Sequence, residues 1–214
     1  MTTIAELHIG DSPLSWQAIG LDVDAGHTCH VGHVRLRFHP EAEQLGIFAW
    51  TLAGTPDETV SDVDGLDTRH GEPPSLGGLA ASHLLGVTNI DHLVVMTPDV
   101  DRTVTAVQQR LGLPLRRTRE GEAYGRKMRQ AFFRMGEVVL EVVGPPDADR
   151  SGGGASFFGL AFTVMSLDEA IDFIGPDLVS EPKPAVQADR SICAVRSAAG
   201  LAVPLALMSP EPRQ

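Results

Sequence analysis

The feature that most constrains this chain is an order of elements, strand, helix and then further strands, that occurs along it more than once. Residues 87–143 give the clearest copy, and residues 156–208 repeat it. Residues 3–52 give a shorter and less regular copy. One such unit cannot bury both faces of its own sheet, so we expect the units to pair.

The middle unit begins with a β-rich run, 87–96, that ends at a helix-start signal. Thr97 is predicted to cap the helix, with Pro98 at its first position. Gly112 is placed to end the helix. Between these points the apolar residues Val100, Val104, Val107 and Leu111 recur at helical spacing. The strands predicted after the helix are 113–120, 126–135 and 138–143.

The last unit opens with a predicted strand at 156–164. Ser166 and Glu169 then form a capping-box pattern, which predicts a helix that runs to Gly175. Three further segments complete the unit, the first of them edge-like because it contains two prolines. These segments are 177–186, 190–197 and 201–208.

The first unit contains a run of ligand-type residues, HTCHVGHVRLRFH, at 27–39. If 29–39 is one strand, His30 lies on one face, and His33 lies on the other with two arginines that would oppose a cation. The stretch also matches no zinc spacing. We interpret it as a strand of a degenerate unit with one polar face. The other elements predicted here are strands at 3–9 and 46–52 and a short helix opened by Ser12-Pro13.

Two segments rich in glycine and proline, near 54–86 and 144–156, look like connectors. They divide the chain into three predicted units. The predicted boundaries are a degenerate N-terminal unit at 1–54, a linker at 55–86, a βαβββ unit at 87–146, a linker at 147–156 and a second such unit at 157–210.

The composition excludes several classes of protein. The net charge is −11, which argues against a nucleic-acid partner. No apolar run approaches the roughly 18 residues of a membrane span, and no secretory signal is present. Two distant cysteines predict reduced thiols in a cytoplasmic protein. A basic stretch at 116–129 fits either a solvated strand pair or an anion-binding patch.

Two motifs, IDHLVVMTPDVDRTV at 90–104 and QAFFRMGEVVLEVVGP at 130–145, carry a family resemblance. They resemble the glyoxalase/bleomycin-resistance/extradiol-dioxygenase superfamily, also called the vicinal oxygen chelate proteins. The resemblance implies an α+β fold in which repeated βαβββ units pair into a curved mixed sheet around a cavity. It also implies a small-molecule ligand and is compatible with a homodimer.

The resemblance places metal ligands at His92, in the first strand of a unit, and at Glu141, in the last. The matching positions of the last unit are Gly159 and Ala206, which cannot ligate through side chains. His8 is therefore the candidate third ligand, giving two histidines and one carboxylate. The implied cofactor is one divalent metal, Zn, Ni, Fe or Mn, or none, with His92 and Glu141 hydrogen-bonded to each other in a metal-free pocket.

Alternative functions follow from these ligand sets. With a metal, the protein would be a lyase or isomerase acting on a substrate with vicinal oxygens, although no catalytic base can be named. Without one, it would be an antibiotic-type binding protein that favours cationic ligands. A module used only for dimerisation is a third reading. A ring-cleaving dioxygenase is disfavoured because the sequence before Glu141 lacks the required Tyr and Pro. The aromatic residues considered for the cavity are Phe132, Phe133, Phe157, Phe158, Phe162 and Trp50.

Overall fold

A computed structural model describes residues 1–73, 83–123, 126–148 and 152–212. It has an α+β fold with two mixed sheets, which confirms the predicted fold class. The N-terminal sheet consists of β1 (Thr3–Gly10), β2 (Thr28–Val31), β3 (Val34–Phe38), β4 (Gly46–Ala53), β5 (Asp62–Val63) and β6 (Leu66–His70). The C-terminal sheet consists of β7 (Val87–Met96), β8 (Arg117–Ala123), β9 (Arg126–Met135), β10 (Val138–Gly144), β11 (Ser156–Val164), β12 (Lys183–Pro184), β13 (Ser191–Ala194) and β14 (Leu205–Met208).

The C-terminal sheet joins two units through their first strands. Its order is β12-β13-β14-β11-β7-β10-β9-β8. Within each unit the first and last strands are parallel, β7 with β10 and β11 with β14. The first strands β7 and β11 then pair with each other in antiparallel orientation. This arrangement agrees with the pairing of units expected from the sequence.

The N-terminal sheet follows the same plan with fewer strands. Its order is β2-β3-β1-β4-β6-β5, with β1 parallel to β3 and β4 parallel to β6. Strand β4 pairs with β1 in antiparallel orientation, as β11 pairs with β7. Strand β4 therefore corresponds to the first strand of a further unit and not to the last strand of the first unit. Strands β5 and β6 lie inside the predicted linker at 55–86. They are short and mostly polar, so no apolar period marks them in the sequence.

The core lies between the facing sides of the two sheets. Trp50 of β4 packs edge-on against Phe157 of β11, with ring centroids 5.2 Å apart. Trp16 packs against Phe162 with centroids 6.3 Å apart. Three helices cover this core with their apolar stripes. They are α1 (Pro13–Ala18), α2 (Val100–Leu111) and α3 (Leu167–Ile174).

The helix ends agree with the sequence except at one cap. The N-cap of α2 is Asp99, whose side chain accepts a hydrogen bond from the backbone N–H of Arg102, and not Thr97. The Thr97 hydroxyl is instead within hydrogen-bond distance of the Thr103 hydroxyl. Gly112 ends α2 in the left-handed conformation at φ 66°, as predicted. In α3 the cap is Ser166, also as predicted.

The histidine-rich stretch differs from its prediction. It is not one strand, because Gly32, at φ 60°, turns the chain between β2 and β3. A two-residue turn reverses the facing pattern, so His30 is the cross-strand partner of Arg35. The single-strand interpretation put these two residues on opposite faces, and it is wrong. The exposed His33 lies in the turn, 3.6 Å from Glu137.

Several C-terminal segments are also less regular than predicted. Within 177–186 only the two residues of β12 form a strand, and a 3-10 turn occupies Pro176–Leu178. Residues 201–208 become a strand only at β14. Both cysteines are free and buried. Among the helices of the described residues, none is long and apolar enough to cross a membrane.

Candidate functional site

His92 and Glu141 lie on neighbouring parallel strands and on the same face of the C-terminal sheet. His92 is the register partner of Val139, and Glu141 follows two positions later. The intervening Leu140, like Leu93, is fully buried in the core. The opposite side of the sheet, which carries His92, Glu141 and the half-buried Val94 and Val139, is called here the open face. A diagonal pair at this spacing is within reach of long side chains.

His92 is held by a carboxylate from its own strand. Its Nδ1 lies 2.6 Å from Oδ1 of Asp91. The adjacent residues can meet because a register shift opposite β11 leaves Asp91 without a cross-strand partner. The other oxygen of Asp91, Oδ2, accepts hydrogen bonds from Nη1 of Arg190 at 2.6 Å and from the Thr163 hydroxyl at 3.0 Å. The His92 ring is thereby fixed through Nδ1, and within the described part of the chain Nε2 has no hydrogen-bond partner.

The Asp91 group is a buried ion pair. Arg190 is 6% exposed, and its remaining donors bind Ser209 O and the Thr163 hydroxyl. Burial raises the pKa of Asp91, but His92 and Arg190 outweigh burial and bring the pKa to about 2. Asp91 is therefore charged at neutral pH. Its Oδ1 contacts Nδ1 and so orients the His92 ring.

Glu141 has a different environment. Its Oε1 accepts a hydrogen bond of 2.6 Å from Nε2 of Gln130. Burial raises the pKa of Glu141, and His92, Gln130 and Arg119 offset only part of that effect. Among the described residues His92 and Glu141 share no hydrogen bond, contrary to the metal-free pairing expected from the sequence. His92 and Glu141 are each held by a separate partner, so both side chains can contact a ligand.

The third predicted ligand, His8, lies on the other sheet. Its neighbours Leu7 and Ile9 are fully buried in the core, so His8 points away from it. His92 and Glu141 point away from the core on the far side of the molecule. The structure does not bring the three residues together. Within 1–73, 83–123, 126–148 and 152–212, no group of three His, Cys, Asp or Glu residues is arranged to hold a metal ion.

Both ring nitrogens of His8 have partners within the N-terminal sheet. Nδ1 lies 3.2 Å from Nε2 of His39, and Nε2 lies 3.0 Å from the Thr51 hydroxyl. Burial lowers the pKa of His8 to about 4; the Glu6 carboxylate opposes this shift, and the charge of Arg69 adds to it. His8 is therefore a neutral member of a separate polar cluster.

The aromatic residues considered for the cavity mostly belong to the core. Phe133, Phe162 and Trp50 are fully buried, and Phe157 packs on Trp50. Phe132 is the member of the set that lies beside Glu141, as its cross-strand partner. The open face therefore combines the Phe132 ring and several aliphatic side chains with the polar groups of His92, Glu141 and Gln130. The register of β8 and β9 adds arginines to the same face, namely Arg117, Arg119 and Arg134.

Sequence reasoning missed Asp91, Gln130 and Arg190. Asp91 directly precedes His92, and alternation alone assigns adjacent residues to opposite faces. The register shift that brings them together has no local sequence signal. Arg190 comes from the other unit, 99 positions away from Asp91 along the chain. Its pairing depends on tertiary structure.

A cleft of about 380 Å³ opens at a different place, between strand ends and hairpin turns of the two sheets. Its walls are mainly apolar, and His33, Asn89 and Glu137 supply polar groups. His92 and Glu141 do not line it. The fixed ionisable groups of the C-terminal sheet are therefore separate from this cleft.

Comparison with known proteins supports the resemblance. Residues 89–174 match the model of the Glyoxalase/Bleomycin resistance protein/Dioxygenase superfamily. The segment includes His92, Glu141 and the Asp91 carboxylate. A search of curated proteins finds no match.

Solved structures extend the likeness of fold over nearly the whole chain. A mutant of 4-hydroxymandelate synthase from Streptomyces coelicolor is 13% identical, with a TM-score of 0.64 over 99% of this chain and 93% of that one. A xylose isomerase-like TIM barrel/4-hydroxyphenylpyruvate dioxygenase fusion protein is 10% identical, with a TM-score of 0.67 over 99% of this chain and 50% of that one. Methylmalonyl-CoA epimerase from Mycobacterium tuberculosis is 21% identical, with a TM-score of 0.49 over 63% and 95% of the two chains. At these identities the first two show a shared fold.

Proposed function

We propose that the open face of the C-terminal sheet binds a small molecule without a resident metal, with His92 and Glu141 as the groups that orient it. The observation that carries the proposal is that these two ionisable side chains share one face of the sheet and are fixed by different partners. Asp91 holds His92, and Gln130 holds Glu141. A few fixed polar groups beside apolar side chains are typical of small-molecule sites.

The two groups suit a ligand with adjacent oxygens. With Nδ1 directed at the Asp91 carboxylate, Nε2 is the ring nitrogen of His92 that hydrogen-bonds to a ligand hydroxyl. Because burial raises the pKa of Glu141, its protonated form is more accessible and can donate to a ligand carbonyl. A hydroxyl next to a carbonyl therefore matches both residues. The net charge of −11 favours a cationic molecule over an anionic one at long range.

The test is a thermal-unfolding screen of chelator-treated protein against hydroxyacetone, lactate and larger hydroxy-ketones with a cationic group. A ligand of the native state raises the unfolding temperature. We expect stabilisation by at least one hydroxy-carbonyl compound, and a weaker effect in His92→Gln and Glu141→Gln. His33→Gln, in an exposed turn, is the matched control and is expected to respond as wild type. Equal responses of all four proteins would contradict the assignment.

The second candidate is a metal-dependent lyase or isomerase, with Zn, Ni, Fe or Mn. One observation favours it: a histidine held by a carboxylate through Nδ1 is the usual form of a metal ligand. The donor set of the described residues is nevertheless short. His92 and Glu141 supply two donors where catalytic sites commonly have three. On the second unit the expected ligand positions are Gly159 and Ala206, which have no ligating side chains.

Metal analysis distinguishes the two candidates. Purified protein would be incubated with each of the four metals, desalted and analysed for bound metal, alongside His92→Ala. Retention of about one equivalent by wild type but not by His92→Ala supports the lyase or isomerase candidate. Ligand-dependent stabilisation of the chelator-treated protein, with no retained metal, supports the metal-free site.

A homodimer stays a prediction, and sizing chromatography tests it.

A further inference from the structure

The N-terminal sheet has a polar surface on the side away from the core, and it is called here the polar face. It comprises two rows of cross-strand partners. One row, across β2, β3, β1, β4 and β6, consists of His30, Arg35, Glu6, Thr51 and Arg69. The next consists of Thr28, Arg37, His8, Ala49 and Asp67. Nearly every position in the two rows is polar, and the charge of Glu6 is buried among them. A sheet face that is only exposed to solvent does not need buried charges.

A buried carboxylate organises this face. Glu6 is 4% exposed, and each of its oxygens is bound by the Nε of a different arginine. Arg35 Nε donates to Oε2, and Arg37 Nε donates to Oε1 at 2.9 Å. Burial raises the pKa of Glu6, but the hydrogen bonds and charges of Arg37 and Arg35 hold the pKa below its usual value. One negative charge thus fixes two positive ones.

The geometry leaves arginine donors available. Arg35 binds Glu6 through Nε, and its two terminal nitrogens have no hydrogen-bond partner among the described residues. Arg37 uses Nε and Nη2 on Glu6. The side chains of Arg35 and Arg37 are 31% and 36% exposed, so these donors are accessible. Holding a guanidinium by Nε preorganises its terminal nitrogens for a second acceptor.

A third arginine completes the arrangement. Arg69 lies over the Phe48 ring, 5.8 Å from its centroid, which supports its guanidinium through a cation–π contact. Among the described residues its acidic contact is weak, with Nη2 3.6 Å from Oδ2 of Asp67. The two rows themselves therefore hold three arginines against Glu6 and Asp67, and Asp24 adds a third carboxylate at the end of the second row, where it accepts from Thr28.

The histidines on this face add neutral polar groups. Burial lowers the pKa of His8 to about 4 and, aided by Arg35, lowers that of His30. Nδ1 of His30 is buried and lacks a hydrogen-bond partner within the described residues. Because this atom is buried, the donors that the face offers to a ligand are those of the arginines.

We propose that the polar face binds the oxyanion group of a small molecule, a phosphate or a carboxylate, through Arg35, Arg37 and Arg69. Planar guanidinium groups bind both anions through paired hydrogen bonds. If the arginines served only to neutralise Glu6, one would suffice for a single buried carboxylate. The proposal concerns the opposite half of the molecule from His92 and Glu141 and does not depend on the function proposed there.

The experiment measures the unfolding temperature of the full chain at neutral pH. Inorganic phosphate and sodium acetate would each be titrated, with sodium chloride at equal ionic strength as the reference. We expect a saturable rise of a few degrees with phosphate, acetate or both, because a native-state ligand stabilises by RT ln(1 + [L]/Kd). A response to phosphate alone identifies a phosphate group, and a response to acetate alone a carboxylate.

Arg69→Gln is the decisive variant, since it removes a charge without unpairing Glu6. We expect it to raise the apparent Kd about tenfold, equivalent to the loss of one good charge-assisted contact. Arg35→Gln is expected to act similarly. Arg110→Gln, which replaces an exposed arginine on α2, should bind as wild type. The proposal fails if no saturable rise occurs beyond chloride, or if both test variants respond as Arg110→Gln does.

Discussion

The two sheets share one plan of strand pairing, yet they treat a carboxylate on a leading strand in different ways. On β7, Asp91 pairs with the buried Arg190, and each of the other two nitrogens of that arginine donates to a protein oxygen. On β1, Glu6 holds two half-exposed arginines with donors to spare. The first arrangement is closed and positions His92. The second is open and leaves a positive excess at the surface.

The difference teaches that a repeated scaffold fixes where side chains point but not what they do. In both sheets the face away from the core carries an acid bound by arginine, and the number and burial of these arginines decide the outcome. One buried arginine gives a neutral, structural pair. Two partly exposed arginines give a charged surface that can attract an anion. The following predictions test this contrast.

Breaking the closed pair should have the largest effect. Asp91→Ala leaves Arg190 buried without its counter-charge, and removal of one partner of a buried pair typically costs about 3–5 kcal/mol. We expect a loss of this size in the free energy of unfolding, measured with urea. The control is Asp62→Ala, which removes the exposed partner of Arg110, and we expect it to cost less than about 1 kcal/mol. Equal losses in both variants would contradict a closed pair at Asp91.

Protonation of His8 at acid pH should destabilise the polar face of the N-terminal sheet. The pKa of His8 falls from 6.5 to about 4 on folding, so the unfolded chain binds the proton more tightly. Stability is therefore complete above about pH 6.5 and declines as pH falls towards 4. The gap corresponds to roughly 3 kcal/mol, since one pKa unit is about 1.4 kcal/mol.

Urea unfolding across this pH range should show a smaller acid-dependent loss in His8→Gln than in wild type, by that amount. His33→Gln provides the control because the His33 side chain is 63% exposed. A wild-type pH dependence that survives in His8→Gln would show that other groups carry it.

Neutralising Glu6 should have an intermediate effect. Glu6→Gln keeps the shape of the side chain but removes the charge that separates Arg35 from Arg37. Because both arginines are partly exposed, water can solvate them, and we expect a cost of about 2 kcal/mol rather than the full cost of a buried pair. The measurement is again urea unfolding. A loss of unfolding free energy as large as that of Asp91→Ala would show that Glu6 and its two arginines are as shielded from water as the Asp91–Arg190 pair.

The contrast also separates what the sequence could predict from what it could not. Apolar periodicity located β7, α2, β9, β10 and β11, because each buries one regular stripe. It failed for β5 and β6, whose alternating residues are mostly polar, and for 29–39, where one glycine turn reversed the face of His30.

For the candidate site, alternation and the resemblance placed His92 and Glu141 on one face. The partners that give them chemical character came from a register shift at Asp91 and from Arg190 of another unit. Such contacts depend on how strands are aligned in three dimensions, and a single sequence does not record that alignment. For the same reason His8 was grouped with residues that lie across the core from it.

The smallest expected difference concerns the helix starts of the two halves. Ser166 caps α3 through its side chain, which accepts from the backbone N–H of Glu169, whereas Ser12 before α1 makes no such bond. Replacing a working serine cap with alanine typically costs about 1 kcal/mol. We expect Ser166→Ala to lower the free energy of unfolding by about this amount and Ser12→Ala to change it by less than about half as much. If the two substitutions lower the free energy of unfolding equally, Ser12 stabilises α1 as much as Ser166 stabilises α3. The contrast between the two halves is then limited to the open face and the polar face.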